Sequence, residues 1–329
     1  MANSTTVLPG PTMPDLLASS TLRTLFNIIV IGPGLIGLPM LLLAVIFGEK
    51  TRRGAVFISF IFATTVLAFS GAMLPLAGQQ GYIKPPDKSL CYVQTAIMDG
   101  AVAMTSFSSL ALVLQLAYGL YQRRYMSSKG HHERAQMWFN VTLILVPFVA
   151  FLAFVIADVY YFVQIAEDTP LWQNVTALNP AFYCKLVTID PFAPLKSNEL
   201  PLVLFIITMS VTGLLVEAVT GYLLWRYWRH FQDLSQQEGT TVATTFPIAS
   251  LIRLTIFTLY RIALVGVALQ VVGNPNMFVT AEFLHGAGIP LVVFLVFGLQ
   301  KDVVQTWVGW VKGVPGLVMR IKRRSSPRY

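Results

Sequence analysis

Seven predominantly apolar stretches, separated by polar segments, occupy most of this chain. They run roughly Leu25–Phe47, Ala55–Leu76, Cys91–Leu120, Trp138–Tyr161, Leu200–Trp225, Ile248–Val272 and Phe278–Leu299. A bilayer core offers no water to open backbone groups, so a spanning segment is a helix of about 20 mostly apolar residues. Each stretch meets that length, and the pattern predicts an all-α integral membrane protein, a seven-transmembrane helix bundle. The third stretch exceeds one bilayer thickness and is expected to tilt or project beyond the membrane. Three regions follow. Residues 1–24 form an N-terminal tail with Pro9, Pro11 and Pro14, expected to be flexible; residues 25–299 hold the spans; residues 300–329 form a C-terminal tail.

The connections differ in length and character. Gly48–Gly54, Arg123–Ala135 and Tyr227–Pro247 are polar segments on one side of the membrane. On the other side, Phe162–Glu199 is the longest connection, and Gly273–Met277 is so short that spans six and seven must be close antiparallel neighbours. Beyond the seventh span, Trp307, Trp310, Val311, Val314, Leu317 and Val318 recur at roughly helical spacing ahead of Lys322-Arg323-Arg324. This predicts a short amphipathic helix lying on the inner leaflet, its basic end drawn to anionic membrane lipids. There is no internal repeat.

Composition excludes an ordinary soluble domain. The chain is 55% hydrophobic and 12% charged, with mean hydropathy +0.65, against about 25% charged residues in soluble proteins. The formal net charge of +8 would suit nucleic acid, but its distribution points elsewhere. Of 23 Lys and Arg, only Arg23, Lys84, Lys88, Lys185 and Lys196 fall on the side of the N-terminus, and Arg261 sits inside a span. The rest lie on the opposite side, where basic residues are retained during insertion. The N-terminus is therefore expected outside and the C-terminus inside, with no nucleic-acid partner. The sequons at Asn3 and Asn174 then fall outside, as candidate glycosylation sites. The first span is expected to act as an uncleaved signal anchor.

That topology bears on the chemistry. The two cysteines, Cys91 at the outer end of span three and Cys184 in the long outer connection, both face an oxidising compartment. A bridge between them would pin the loop across the mouth of the bundle; two free thiols are the alternative. Asp99 and His285 lie at similar depth from the outer face, Glu282 one turn shallower, and Asp158 and Tyr161 near the outer end of span four. Together they form a candidate ligand pocket, unless they merely satisfy one another in the core. Glu217 and Arg261 each lie about 12–14 Å from the inner end of their spans and are expected to form an interhelical ion pair, as a latch or a static bridge. Arg123-Arg124 end span three inside, as topology anchors or a receiving surface for an intracellular partner. No metal site, phosphate-binding glycine motif or nucleophile–base arrangement is present in the sequence, so neither catalysis nor a cofactor is expected.

Seven spans, an outside N-terminus and cysteines at the top of span three and in the second outer loop resemble a G-protein-coupled receptor over about Leu25–Arg324. The rhodopsin-like triplet at the end of span three is replaced by Tyr121-Gln122-Arg123-Arg124, and their seventh-span Asn-Pro-x-x-Tyr by Gly286-Ala287-Gly288-Ile289-Pro290. His285-Gly286 with Val296-Phe297-Gly298-Leu299-Gln300-Lys301-Asp302-Val303 is more similar to fungal, basidiomycete-type receptors related to the cAMP-receptor and secretin-like groups. The resemblance implies a multi-pass plasma-membrane receptor for an extracellular ligand that signals to a heterotrimeric G protein, with Arg123, Arg124 and Arg253 at the coupling face. A seven-helix transporter or lipid translocator, with Glu217 and Arg261 on a substrate or proton route, is the alternative.

Overall fold

The structure, a computed structural model, describes residues 13–48, 53–79, 87–125, 132–167, 175–178, 185–188, 199–238, 248–273 and 283–310. Helix α1 (Met13–Ile29) runs through a π-helical stretch, Val30–Gly37, into α2 (Leu38–Phe47). Then come α3 (Ala55–Leu76), α4 (Lys88–Tyr125) and α5 (His132–Glu167). An antiparallel hairpin of β1 (Val175–Leu178) and β2 (Lys185–Thr188) follows, with Val175 opposite Thr188 and Leu178 opposite Lys185. After it come α6 (Glu199–Glu238) and α7 (Ile248–Gly273). The chain ends in α8 (Ile289–Val293), flanked by π-helical turns Leu284–Gly288 and Phe294–Gly298, and α9 (Lys301–Trp310).

Five helical segments among the described residues are long and apolar enough to cross a membrane: Thr21–Phe47, Ala55–Leu76, Lys88–Gly119, Gln136–Val163 and Leu204–Arg226. Leu284–Gly298 with Lys301–Trp310, bent by 84° at their junction, makes a sixth if taken as one span, and Thr255–Val267 is a shorter apolar helix. The fold is thus a largely helical, multi-pass membrane architecture. Its outer surface agrees: Ile28, Val149, Ile156, Leu215 and Leu259 each expose more than 60% of their surface. An apolar sheath of that extent is incompatible with water and natural in lipid.

The π-helical stretch has a local cause. Pro33 lacks an N–H and its ring crowds the carbonyl a turn earlier, so the ladder widens and the Leu38 N–H bonds to the Pro33 carbonyl. Around it the core closes through small residues. A Cβ on Gly34 would meet Ala68 at 2.7 Å, and one on Gly37 would meet the Phe294 ring at 2.5 Å. The main core joins Leu38, Leu41, Val45, Phe60, Ile61, Val293, Phe297 and Val303, with Phe57 set edge-on to Phe297 at 4.9 Å. Helix α4 is the hub, packing on α3, α5 and α6, while α6 packs on α7. The fourth span is peripheral, with 11% of its apolar window buried against 61% for the second.

Three elements differ from the sequence expectation. The hairpin puts β-structure in a chain expected to be all-α; its Val175, Thr176, Val187 and Thr188 are β-branched and favour a strand. Helix α1 begins at Met13, inside the tail expected to be flexible, with Pro14 in the first turn, where a missing N–H costs nothing. Helix α6 continues to Glu238, well into the segment expected to be a loop from Tyr227. Residues Tyr227–Glu238 contain no Gly or Pro and end in the helix formers Gln236, Gln237 and Glu238. Their polarity marks the end of the apolar zone, not of the helix. At 40 residues α6 is about 60 Å long, twice the hydrocarbon thickness of about 30 Å.

Candidate functional site

Two buried polar groups lie within the bundle. The first forms where α4 and α5 come closest. A Cβ on Gly100 would sit 2.8 Å from Val155 Cγ2 and 3.0 Å from the Phe151 carbonyl oxygen, an approach that only glycine permits. One turn beyond Val155, Asp158 is 9% exposed and lies near the side chain of Asp99. The second oxygen, Asp158 Oδ2, is buried without a partner. An aromatic cluster borders the pair: Tyr92 stacks obliquely on Phe162 at 4.8 Å, and half-buried Tyr161 lies 6.3 Å from the same ring.

His285 is half-buried on the π-helical turn Leu284–Gly288. The adjacent Gly286 lies so near α4 that a Cβ there would be 3.5 Å from the methyl of Met98, which precedes Asp99. Residues 285 and 99 therefore sit at one level of the bundle. The turn is held by Tyr260, whose hydroxyl donates to the Leu284 carbonyl. Glu282, Cys184, Asn3 and Asn174 lie outside the described residues. Cys91 is fully buried in the first turn of α4, against Leu74 and Leu90, and no cysteine among the described residues is a free thiol.

The second group joins three helices. Arg261 Nε on α7 lies 2.9 Å from Glu217 Oε1 on α6, with both side chains over nine-tenths buried. Thr258 Oγ1 donates to Glu217 Oε2 at 2.8 Å, and Arg261 Nη2 donates to Ser109 Oγ on α4. The guanidinium occupies the space that a Cβ on Gly213 would fill, so Gly213, one turn before Glu217, is the notch through which Arg261 reaches its carboxylate. Each charge thus gains its counter-charge and at least one hydroxyl, the condition for holding ions away from water. The two charges are expected from the sequence; Ser109, Thr258 and Gly213 are not. Thr258 lies three residues before Arg261, on the same helix face, and the run Thr105-Ser106-Phe107-Ser108-Ser109 was a visible polar signal within a span.

At the other end of the bundle, Arg53 Nη2 pairs with Asp302 Oδ2 at 2.8 Å and bonds Gln300 Oε1 at 2.9 Å. Trp307 Nε1 donates to the Met40 carbonyl at 3.4 Å and its ring stacks on Phe294. These contacts fold α9 back on the first two spans. Arg123 and Arg124 lie in the last turn of α4, and Arg253 in the first turns of α7; their side chains are outside the described residues. Among the described residues no three His, Cys, Asp or Glu side chains gather as a metal site. No protein-family model matches the chain, and no curated protein matches it.

Proposed function

We propose that the chain is a seven-transmembrane, G-protein-coupled-receptor-like protein of the plasma membrane, N-terminus outside, that senses an extracellular ligand and signals to a heterotrimeric G protein. The observation that carries this reading is the buried network Glu217–Arg261–Thr258–Ser109, which ties α4, α6 and α7 through charges and hydroxyls. Such a junction has discrete arrangements, because the ions are either paired or unpaired. A ligand at the outer level, near Asp99, Asp158, Tyr161 and His285 with Glu282, would shift the balance by its differential affinity for the two states. The sixth and seventh spans of this reading are Ile248–Gly273 and the segment containing Leu284–Gly298. A Cys91–Cys184 bridge would hold the outer loop over the pocket, and Arg123, Arg124 and Arg253 would meet the G protein.

The deciding experiment is nucleotide exchange on purified heterotrimers of each Gα class, with the full chain in nanodiscs. Exchange above the empty-nanodisc rate, reduced in R123A/R124A, is the expected result. Absence of acceleration with every class, across candidate ligands, overturns the reading. One observation favours the alternative, transport or lipid translocation: two neighbouring carboxyl groups within the bundle, Asp99 and the buried Asp158, are also what a bundle would use to carry a proton. Proton-coupled solute or lipid flux in liposomes, abolished in D158N, would support that alternative.

A further inference from the structure

Helix α6 has two faces of opposite character. Ser210, Glu217, Thr220 and Leu224 are buried against the bundle, and at 3.6 residues per turn they share one side of the helix. The opposite side is a continuous exposed stripe. It begins with Val211, Leu215 and Val219, 42%, 65% and 56% exposed, and continues through Tyr222 and Trp225 to Arg226 and Arg229. The stripe is thus aliphatic, then aromatic, then basic, and the change falls where the apolar span Leu204–Arg226 ends. An aliphatic face belongs in hydrocarbon, and Tyr and Trp concentrate at the level of the headgroups. The two arginines therefore stand at the depth of lipid phosphates, on the face turned away from the protein.

The basic end of the stripe has a defined geometry. The Tyr222 and Trp225 rings lie 6.2 Å apart, and the Arg229 guanidinium carbon sits 4.8 Å from the centre of the Trp225 ring, within reach of a cation–π attraction. That stack draws the guanidinium back one turn toward the membrane. Arg226 lies three residues away on the same side, where helix residues are neighbours and like charges repel. Neither arginine has a carboxylate partner among the described side chains. An anion between them would relieve the repulsion. A guanidinium presents paired N–H donors that fit a phosphate, and two of them a turn apart can share one.

We propose that this end of α6 is a docking site for one anionic phospholipid, its phosphate held between Arg226 and Arg229 and its acyl chains lying along Val219 and Leu215. Trp225 positions Arg229 for the contact. A choline lipid brings its own ammonium to the arginines and gains less. A soluble phosphate lacks the hydrocarbon that covers the aliphatic stripe. The proposal rests on the membrane architecture and is independent of the receptor reading, so its test needs neither a G protein nor a receptor ligand.

The full chain, in nanodiscs of phosphatidylcholine, is doped with a phospholipid carrying a diazirine in its acyl chain. One arm uses a phosphatidylglycerol headgroup, which has no ammonium, and the other phosphatidylcholine. After irradiation the labelled peptides are mapped. The glycerol probe should label residues 211–222 about tenfold more than the choline probe, saturably and without displacement by inorganic phosphate. R226Q/R229Q should abolish that preference at unchanged melting temperature, since both side chains are exposed, and W225A should lower it about threefold. The tail variant K322Q/R323Q/R324Q should leave it intact. Equal labelling by the two probes overturns the proposal, as does a preference that survives R226Q/R229Q or vanishes with the tail variant. Displacement by inorganic phosphate overturns it by assigning the arginines to a soluble anion. Protection from both probes when two chains share a nanodisc overturns it by assigning the face to a second copy.

Discussion

At the scale of single residues, Glu217 and Arg261 define the energetics of the bundle centre. Removing one partner leaves the other charge buried and unpaired, worth on the order of 3–5 kcal/mol. E217Q and R261Q are each expected to lower thermal stability in detergent steeply. The exchange E217R/R261E should recover most of the loss of either reversal, measured by fluorescence-detected size exclusion after heating; no recovery would show that the pairing is not what holds the charges. These two charges were legible in the sequence because ions are rare within spans and must be matched. Ser109 and Thr258 were not, since hydroxyls are common in apolar helices and usually bond their own backbone. Gly213 was illegible for another reason: its role is an absence of volume, visible only once the Arg261 side chain is placed against it.

Elements show where sequence periodicity suffices and where it does not. The apolar zones of α1 to α6 match the expected spans closely, because lipid imposes length and apolarity directly. The hairpin, the early start of α1 and the extension of α6 were missed, because outside the membrane these constraints vanish and local propensity decides. The α4–α5 pairing depends on Gly100. G100A is expected to destabilise the chain by about 1–3 kcal/mol through overpacking, whereas G32A, where a Cβ meets nothing within 4 Å, should be neutral or slightly stabilising. Thermal aggregation midpoints of the two variants check this, and equal midpoints would refute it. The Arg53–Asp302 pair joins residues 249 apart, beyond the reach of any local pattern. Its side chains are 39% and 33% exposed, so R53Q should cost under about 1 kcal/mol. W307A, which loses both the ring stack on Phe294 and the bond to Met40, should cost more in the same assay.

For the whole molecule, the charge asymmetry and the apolar sheath make one prediction together: if Cys91 and Cys184 share the oxidising face, they are bridged. C91S should then lower stability by about 2–5 kcal/mol. C91S/C184S should be no worse than C91S alone, because a bridge is lost only once. Additive losses, read from melting curves with and without reductant, would show two independent thiols. Burial is also unequal across the molecule, concentrated on the second and third spans and thin on the fourth and fifth. The terminal helix sharpens that inequality. Leaving the last apolar segment at 84°, α9 is fastened through two of its residues: Asp302 to Arg53, and Trp307 to both the Met40 carbonyl and the Phe294 ring. Two anchors about a turn and a half apart on one helix oppose its swinging away from the bundle. The first span, the loop residue Arg53 and the last segment are accordingly expected to move together. Spin labels at Val56 and Val304 should then keep a constant separation under any condition that changes the distance between Leu215 and Leu259. Any rearrangement is then expected on the side where α6 and α7 meet.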